Sequence, residues 1–243
     1  MKAMILAAGQ GVRLKPLTDS LPKALVEVAG VPILERVIRR LKAAGVTELV
    51  INLHHKGEMI EEFLKGKKDF GLGIAYSREE TLLETGGGLK KAASLLGKED
   101  FILHNADVVS GVDLKALYQA HQASGSLATL SVRVRNSSRQ LLFDCDGVLR
   151  GRKAVGQPPV WAGPPAEAAV ELAFDGIHAV SPDIFGLMTE TGAFPITGTY
   201  LRLAGEGRKI GSFRSDGTLW AEIGTLEKLD AVTKLVLGSD LEI

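Results

Sequence analysis

The sequence predicts an α/β protein with a Rossmann-like, three-layer, mostly parallel or mixed sheet and helices on both faces. Three observations carry this prediction. Strand-like and helix-like patterns alternate through the first half, which calls for side-by-side strands covered by helices. The first strand runs directly into a glycine-rich loop, Ala7-Ala8-Gly9-Gln10-Gly11. A later apolar strand, Phe101-Ile102-Leu103-His104-Asn105, closes just before Asp107, at the carboxyl end of a sheet where ligands of open α/β folds collect.

The elements follow in order. Lys2–Ala7 reads as the first strand. Pro32 opens a helix with Ile33, Leu34, Val37, Ile38 and Leu41 at helical spacing, and Gly45 follows it as a C′ residue. Glu48–Leu53 is a buried strand, Met59, Ile60, Phe63 and Leu64 mark a short helix, and Gly73–Ser77 is a strand. Leu89–Leu96 is helical, and Asp113 caps a helix reaching about Gln122. Leu127–Val134 is a further strand. Arg139–Arg150 alternates around Asp146-Gly147, a hairpin signal. Residues 157–169, rich in proline and glycine and holding Trp161, read as a loop or partial lid. Val170–Val180 is strand-like, and Ser181-Pro182-Asp183 starts a helix. Lys209–Phe213 and Thr218–Ala221 flank Ser215-Asp216-Gly217 as a second hairpin, and Thr225 caps the last helix. No linker or fixed-period repeat interrupts the chain. The reading is one domain over 1–243, in two halves of about 1–125 and about 126–243.

The glycine loop carries the chemistry. Glycines at 9 and 11 let the backbone approach a ligand, and successive N–H groups in such a turn form an anion-binding concavity. Arg13, Lys15 and Lys23 supply charge to offset a triphosphate. The spacing excludes a Walker loop, which needs Gly-Lys-Ser/Thr. It also disfavours a dinucleotide-dependent oxidoreductase: Leu14 replaces the third glycine, and the second strand ends in Asn52-Leu53-His54-His55, without a carboxylate for the ribose.

Composition narrows the class. Lys+Arg and Asp+Glu both total 29, and a net charge of zero argues against a protein built to coat nucleic acid. Cys145 is the single cysteine, so no intramolecular disulfide forms, which fits a reducing cytoplasm. The short apolar run after Met1-Lys2 suits neither a signal core nor a membrane span.

The run Leu6-Ala7-Ala8-Gly9-x-Gly11-x-Arg13-Leu14-x-Pro16-Leu17-Thr18, followed by Pro22-Lys23-Ala24-Leu25, resembles the loop of the sugar-1-phosphate nucleotidyltransferases. The resemblance implies the nucleotide-diphospho-sugar transferase fold, with nucleotide handled by about 1–125 and sugar by about 126–243, and attack of a sugar 1-phosphate on the α-phosphorus of a nucleoside triphosphate. That nucleophile is already anionic, so the reaction asks for charge neutralisation, positioning and Mg²⁺. It implies catalytic roles for Arg13, Lys23 and Asp107, and a metal held by Asp107 and Glu222. Leu219-Trp220-Ala221-Glu222-Ile223-Gly224-Thr225 resembles the family's Trp-x-Asp-x-Gly-Thr, with glutamate in place of the aspartate. Val12 stands where the family has Thr or Ser, and Ala106 where it has glycine. These departures keep open a nucleotide-binding regulatory protein with lost catalysis; intact Arg13, Lys23 and Asp107 argue for an enzyme.

The nucleotide is expected against Ala7, Ala8, Gly9, Gly11, Val12, Arg13, Lys23, Asn105 and the segment Glu84-Thr85-Gly86. There, three glycines ahead of a helix would let a flat base lie on bare backbone. This wording, with Asn52-Leu53-His54-His55, looks most like the N-acetylmuramate-1-phosphate uridylyltransferase branch, which favours UTP; guanylyl- and thymidylyltransferases of the same fold stay open. Phe174-Asp175-Gly176-Ile177-His178 resembles the family's sugar floor, making Asp175, Gly176 and His178 the sugar contacts. No hexapeptide run follows the last helix, so no fused β-helix domain is expected.

Overall fold

The computed structural model describes residues 1–238; residues 239–243 lie outside it. Besides a short hairpin of Glu27–Val28 with Val31–Pro32, the strands are β1 (Lys2–Leu6), β2 (Glu48–Leu53), β3 (Gly73–Arg78), β4 (Phe101–Asn105), β5 (Val108–Ser110), β6 (Ala128–Arg133), β7 (Arg139–Phe143), β8 (Leu149–Ala154), β9 (Val160–Trp161), β10 (Val170–Val180), β11 (Ile210–Arg214) and β12 (Trp220–Glu222). The longer helices are α1 (Ile33–Ala43), α2 (Gly57–Gly66), α3 (Glu84–Lys91), α4 (Leu114–Ser124), α5 (Ile196–Gly205) and α6 (Leu226–Leu237).

Among the described residues, a ten-stranded sheet runs in the order β9-β8-β7-β10-β4-β1-β2-β3, with β6 beside β10 and β11 beside β6. Strands β4, β1, β2 and β3 are parallel neighbours. Strand β10 is antiparallel to β4, β6 and β7. The chain steps from β1 outward to β2 and β3, then returns to lay β4 on the other side of β1. That reversal opens a crevice at the carboxyl ends of β1 and β4, where open α/β sheets bind ligands.

Side chains alternate across the central strands and build a core on each face. From β1, Ala3 and Ile5 join Leu34, Ile38 and Leu41 of α1 and Ile60 and Leu64 of α2. Met4 faces the other way, with Leu89 of α3 and Tyr200 and Leu203 of α5. A third cluster packs Val232 and Val236 of α6 against Leu14, Val26 and Ile223, so the last helix braces the segment that carries the glycine loop. The expected caps are in place: the Asp113 carboxylate accepts from the Ala116 N–H at 2.9 Å and the Thr225 hydroxyl from the Lys228 N–H at 3.3 Å.

Four expectations need correction. The helix expected from Leu89 begins at Glu84, with the three glycines inside it. Ser181 caps a helix as expected, its hydroxyl accepting from the Asp183 N–H at 3.3 Å, but that helix is a short 3₁₀ element, Pro182–Leu187, and the α-helix of the region is α5. Ser215-Asp216-Gly217 is a turn but not a hairpin: β11 pairs in parallel with β6, and β12 pairs with β5. Residues 157–169 are mostly loop as expected, but Val160–Trp161 pairs with β8 at the sheet edge.

Candidate active site

A cleft of about 440 Å³ occupies the crevice. It is lined by Ala7, Ala8, Gly9 and Lys23 from the glycine-loop side of the sheet and by Asn105, Ala106 and Asp107 at the end of β4. Leu82, Glu84 and Thr85 also line it, as do Arg139, Phe174, His178 and Pro195–Thr197.

The loop geometry places Lys23. Gly11 has φ +65°, and a Cβ there would sit 2.9 Å from both the Lys23 Cβ and the Thr18 methyl. Only glycine allows that conformation and that approach together. The Thr18 hydroxyl donates to the Gly11 carbonyl at 2.9 Å and closes the loop. Lys23 is thereby folded back over the crevice, where its ammonium pairs with the Asp107 carboxylate. Val12 is exposed, and the Arg13 guanidinium lies alongside Gly224. Gly11, Val12 and Arg13 are outside the cleft lining.

Asp107 and Glu222 sit on backbone-paired segments. Glu222 is in register with Val108, and the Ile223 N–H donates to the Asp107 carbonyl at 3.0 Å. The Glu222 carboxylate pairs with Lys228 and lies outside the cleft lining.

The three glycines of α3 do not form a bare platform. A Cβ at Gly86 would collide with the Phe194 ring, and one at Gly87 with the Gly192 carbonyl. At Gly88 it would lie 2.6 Å from Glu79 Oε1. These glycines let α3 dock on the segment before α5. The Gly86 N–H donates to the Phe194 carbonyl at 2.8 Å, and the Thr85 hydroxyl accepts from the Ile196 N–H at 2.9 Å. Gly86 itself is outside the cleft lining, whereas Glu84 and Thr85 face the cleft.

A buried relay absent from the sequence reading ties the loop to this flank. The Ala7 N–H donates to Asn52 Oδ1 at 2.6 Å, Asn52 Nδ2 donates to Glu79 Oε1 at 2.7 Å, and the Leu83 N–H donates to Glu79 Oε2 at 2.9 Å. Polar residues at the carboxyl ends of β2 and just past β3 were the available signal.

The sugar-floor segment divides. Gly176 has φ +77° at a register shift between β10 and β6, and a Cβ there would lie 2.7 Å from Asn105 Nδ2. Such bulges re-aim side chains beside active sites. Phe174 and His178 face the cleft. Asp175 does not: its carboxylate is buried and accepts from Arg133 Nε at 2.8 Å, Ser131 Oγ at 2.8 Å and Ser215 Oγ at 2.6 Å. The expectation of a sugar contact from Asp175 is corrected to an internal anchor.

His178 Nδ1 shares a hydrogen with the Tyr200 hydroxyl at 2.7 Å. Burial, with His104 and His121 nearby, pushes the His178 pKa down to about 3; burial pushes that of His104 to about 4. Both rings stay neutral in the fold but take up protons below about pH 6.5 once unfolded. Stability is therefore full above about pH 6.5 and falls as pH drops from there toward 4, by roughly 1.4 kcal/mol per pH unit for each histidine. Urea titrations at pH 7.5 and 5.0 are expected to show this loss, with His178→Gln making it shallower. An equal loss in the variant would remove His178 as a source.

Residues 2–143 match the nucleotidyl transferase family. Over 94% of its length the chain is 34% identical to an N-acetylmuramate alpha-1-phosphate uridylyltransferase of Neisseria meningitidis serogroup B, covering 95% of that protein. The chain belongs to the nucleotidyl transferase family.

Its activity is that of a sugar-1-phosphate nucleotidyltransferase. A mannose-1-phosphate guanyltransferase of Hypocrea jecorina is 40% identical over 54% of this chain and 37% of its own. The fold also matches that of HddC from Yersinia pseudotuberculosis in complex with GMP-PN, with TM-score 0.77, 21% identity, and 97% and 99% of the two chains covered. Among the described residues, no helix is long and apolar enough to cross a membrane.

Proposed function

We propose that this nucleotidyltransferase moves UMP from UTP to N-acetylmuramate 1-phosphate, releasing pyrophosphate, in the cytoplasm and in the service of cell-wall recycling. The observation that carries the reading is the near full-length likeness to the Neisseria uridylyltransferase. The cleft supports it: Gly9, Lys23 and Asp107 line it together with Phe174, His178 and Arg139.

A phosphate oxygen of the sugar phosphate attacks the α-phosphorus, and the bond to the pyrophosphate oxygen breaks. No general base is required, which suits a cleft whose histidine, His178, is held neutral by burial. Lys23 neutralises charge around the α-phosphorus, and Arg13, whose guanidinium lies alongside Gly224, holds the β and γ phosphates with its planar fork. Gly9 and the neighbouring N–H groups cradle the same chain. Glu84 and Thr85 face the base, and His178 and Phe174 support the sugar.

The residues present fit a Mg²⁺ ion. Asp107 and Glu222 offer hard carboxylate oxygens, the donor type Mg²⁺ takes from one or two protein groups, and their segments are joined by the Ile223–Asp107 backbone bond. Bound there, Mg²⁺ would supply charge neutralisation to the phosphates.

Pyrophosphate release from purified protein, measured across UTP, dTTP, GTP and ATP with several sugar 1-phosphates, tests the proposal. UTP with N-acetylmuramate 1-phosphate is expected to give the highest kcat/KM. Preference for GTP with a neutral hexose or heptose phosphate would overturn the base and sugar assignments. Release from no pair would favour the regulatory alternative.

A further inference from the structure

Resting on the uridylyl-transfer reading, we propose that Arg139 is a specificity-determining residue that binds an anionic substituent on the sugar. Two cationic side chains line the cleft, Lys23 and Arg139. Lys23 is engaged by Asp107. No side-chain hydrogen bond or ion pair engages the Arg139 guanidinium among the described residues, and the residue is exposed to the cleft.

Neighbouring arginines are committed to the protein. Arg133 is locked to Asp175. Arg135 donates to the Phe174 carbonyl at 3.0 Å and lies over the Trp220 ring, 3.9 Å from its centroid. The comparison isolates Arg139 as the cation left for a ligand.

Its place in the sheet says which part of the ligand. Arg139 begins β7, and the strand order from there is β7-β10-β4-β1. Strand β7 pairs with residues 170–172 of β10 and β4 with residues 177–180, so the two strands reach β10 at different points along its length, with Phe174 between those points. Asp107 follows β4, and His178 lies on the stretch of β10 that pairs with it. A sugar 1-phosphate with its phosphate beside Lys23 and Asp107 would extend its ring over Phe174 and His178. It would then present a ring substituent to Arg139. A guanidinium at that end, with its five fixed donors, suits a carboxylate held by two parallel hydrogen bonds. A neutral hexose would leave it unused. N-acetylmuramate carries such a group in its lactyl ether, and N-acetylglucosamine is the same sugar without it.

The test is kinetic. Arg139→Gln, Arg139→Lys and the parent chain are assayed with UTP and either N-acetylmuramate 1-phosphate or N-acetylglucosamine 1-phosphate. The parent is expected to prefer the acidic sugar. Arg139→Gln should lower the acid-to-neutral ratio of kcat/KM by about 10–100-fold, the range of one hydrogen-bonded charge, chiefly through KM for the acidic sugar. Arg139→Lys should recover part of the ratio, as a point charge without the fork. Thermal melting checks that the variants fold. An unchanged ratio, whether both sugars suffer equally or neither does, would overturn the proposal. If the parent instead takes GTP, the uridylyl reading fails separately, and the same ratio measured with GTP still decides the role of Arg139.

Discussion

Lys23→Ala is expected to lower turnover by ~10²–10³-fold, the effect of removing one well-placed electrostatic group from a transferring centre. The magnitude follows from its setting. Lys23 is largely enclosed, with its side chain 16% exposed, so its charge is screened less than a surface lysine's would be. It stands against Asp107 at the floor of the cleft. The phosphoryl transition state spreads negative charge over the oxygens of the α-phosphorus, and a fixed cation there stabilises that state more than the ground state. Nucleotide affinity should fall much less, because the loop N–H groups and Arg13 remain. Saturating kinetics and calorimetric titration of nucleotide separate the two effects. Near-parent kcat would remove Lys23 from the chemistry.

Asp175→Ala is expected to destabilise the fold by about 3–5 kcal/mol, the cost of leaving a buried partner charge uncompensated. Arg133 and Asp175 are both nearly inaccessible, 7% and 1% exposed. Losing the carboxylate strands the guanidinium together with the Ser131 and Ser215 hydroxyls that donate to it. Arg133 also donates to the Thr218 carbonyl at 2.7 Å, so the damage reaches the segment leading into β12 and Glu222. Urea denaturation at pH 7.5 measures the loss. A double variant, Asp175→Ala with Arg133→Met, should regain part of it, because the buried charge goes too. A loss below about 1 kcal/mol in the single variant, with sugar KM raised instead, would return Asp175 to the sugar site.

The parallel half was legible because its signals are local. Buried runs such as Met4–Leu6 and Val50–Leu53, helical spacing in α1, and caps at Asp113 and Thr225 all depend on neighbours in sequence. So did the crevice, since a glycine loop after one strand and Asp107 after another converge once the strands lie side by side. What escaped depended on distant partners. Helix α5 begins Ile196-Thr197-Gly198-Thr199, a poor helical sequence, and is held by the bond from Ile196 to Thr85. Asp216-Gly217 announced a turn correctly, but nothing local says that the flanking strands pair with β6 and β5. The direction of Asp175 turns on the bulge at Gly176, which is required by Asn105, about 70 positions earlier in the chain. Alternation alone could not assign its face. The glycines of α3 were legible as a need for room, but the occupant of that room, Phe194, lies more than a hundred residues away.

The sheet order also bears on how such an enzyme changes over time. Strands β7, β8 and β9 form an antiparallel flap at one margin, joined to the rest of the sheet through β10 and through a bridge from Val148 to Gly211 of β11. The glycine loop follows β1, inside the parallel half of the sheet. An insertion, deletion or side-chain exchange at the margin leaves the hydrogen bonds of β4, β1 and β2 intact. Acceptor preference is therefore free to drift under selection while the phosphate chemistry is inherited unaltered. In that architecture a single lineage can serve many nucleotide sugars by editing its rim.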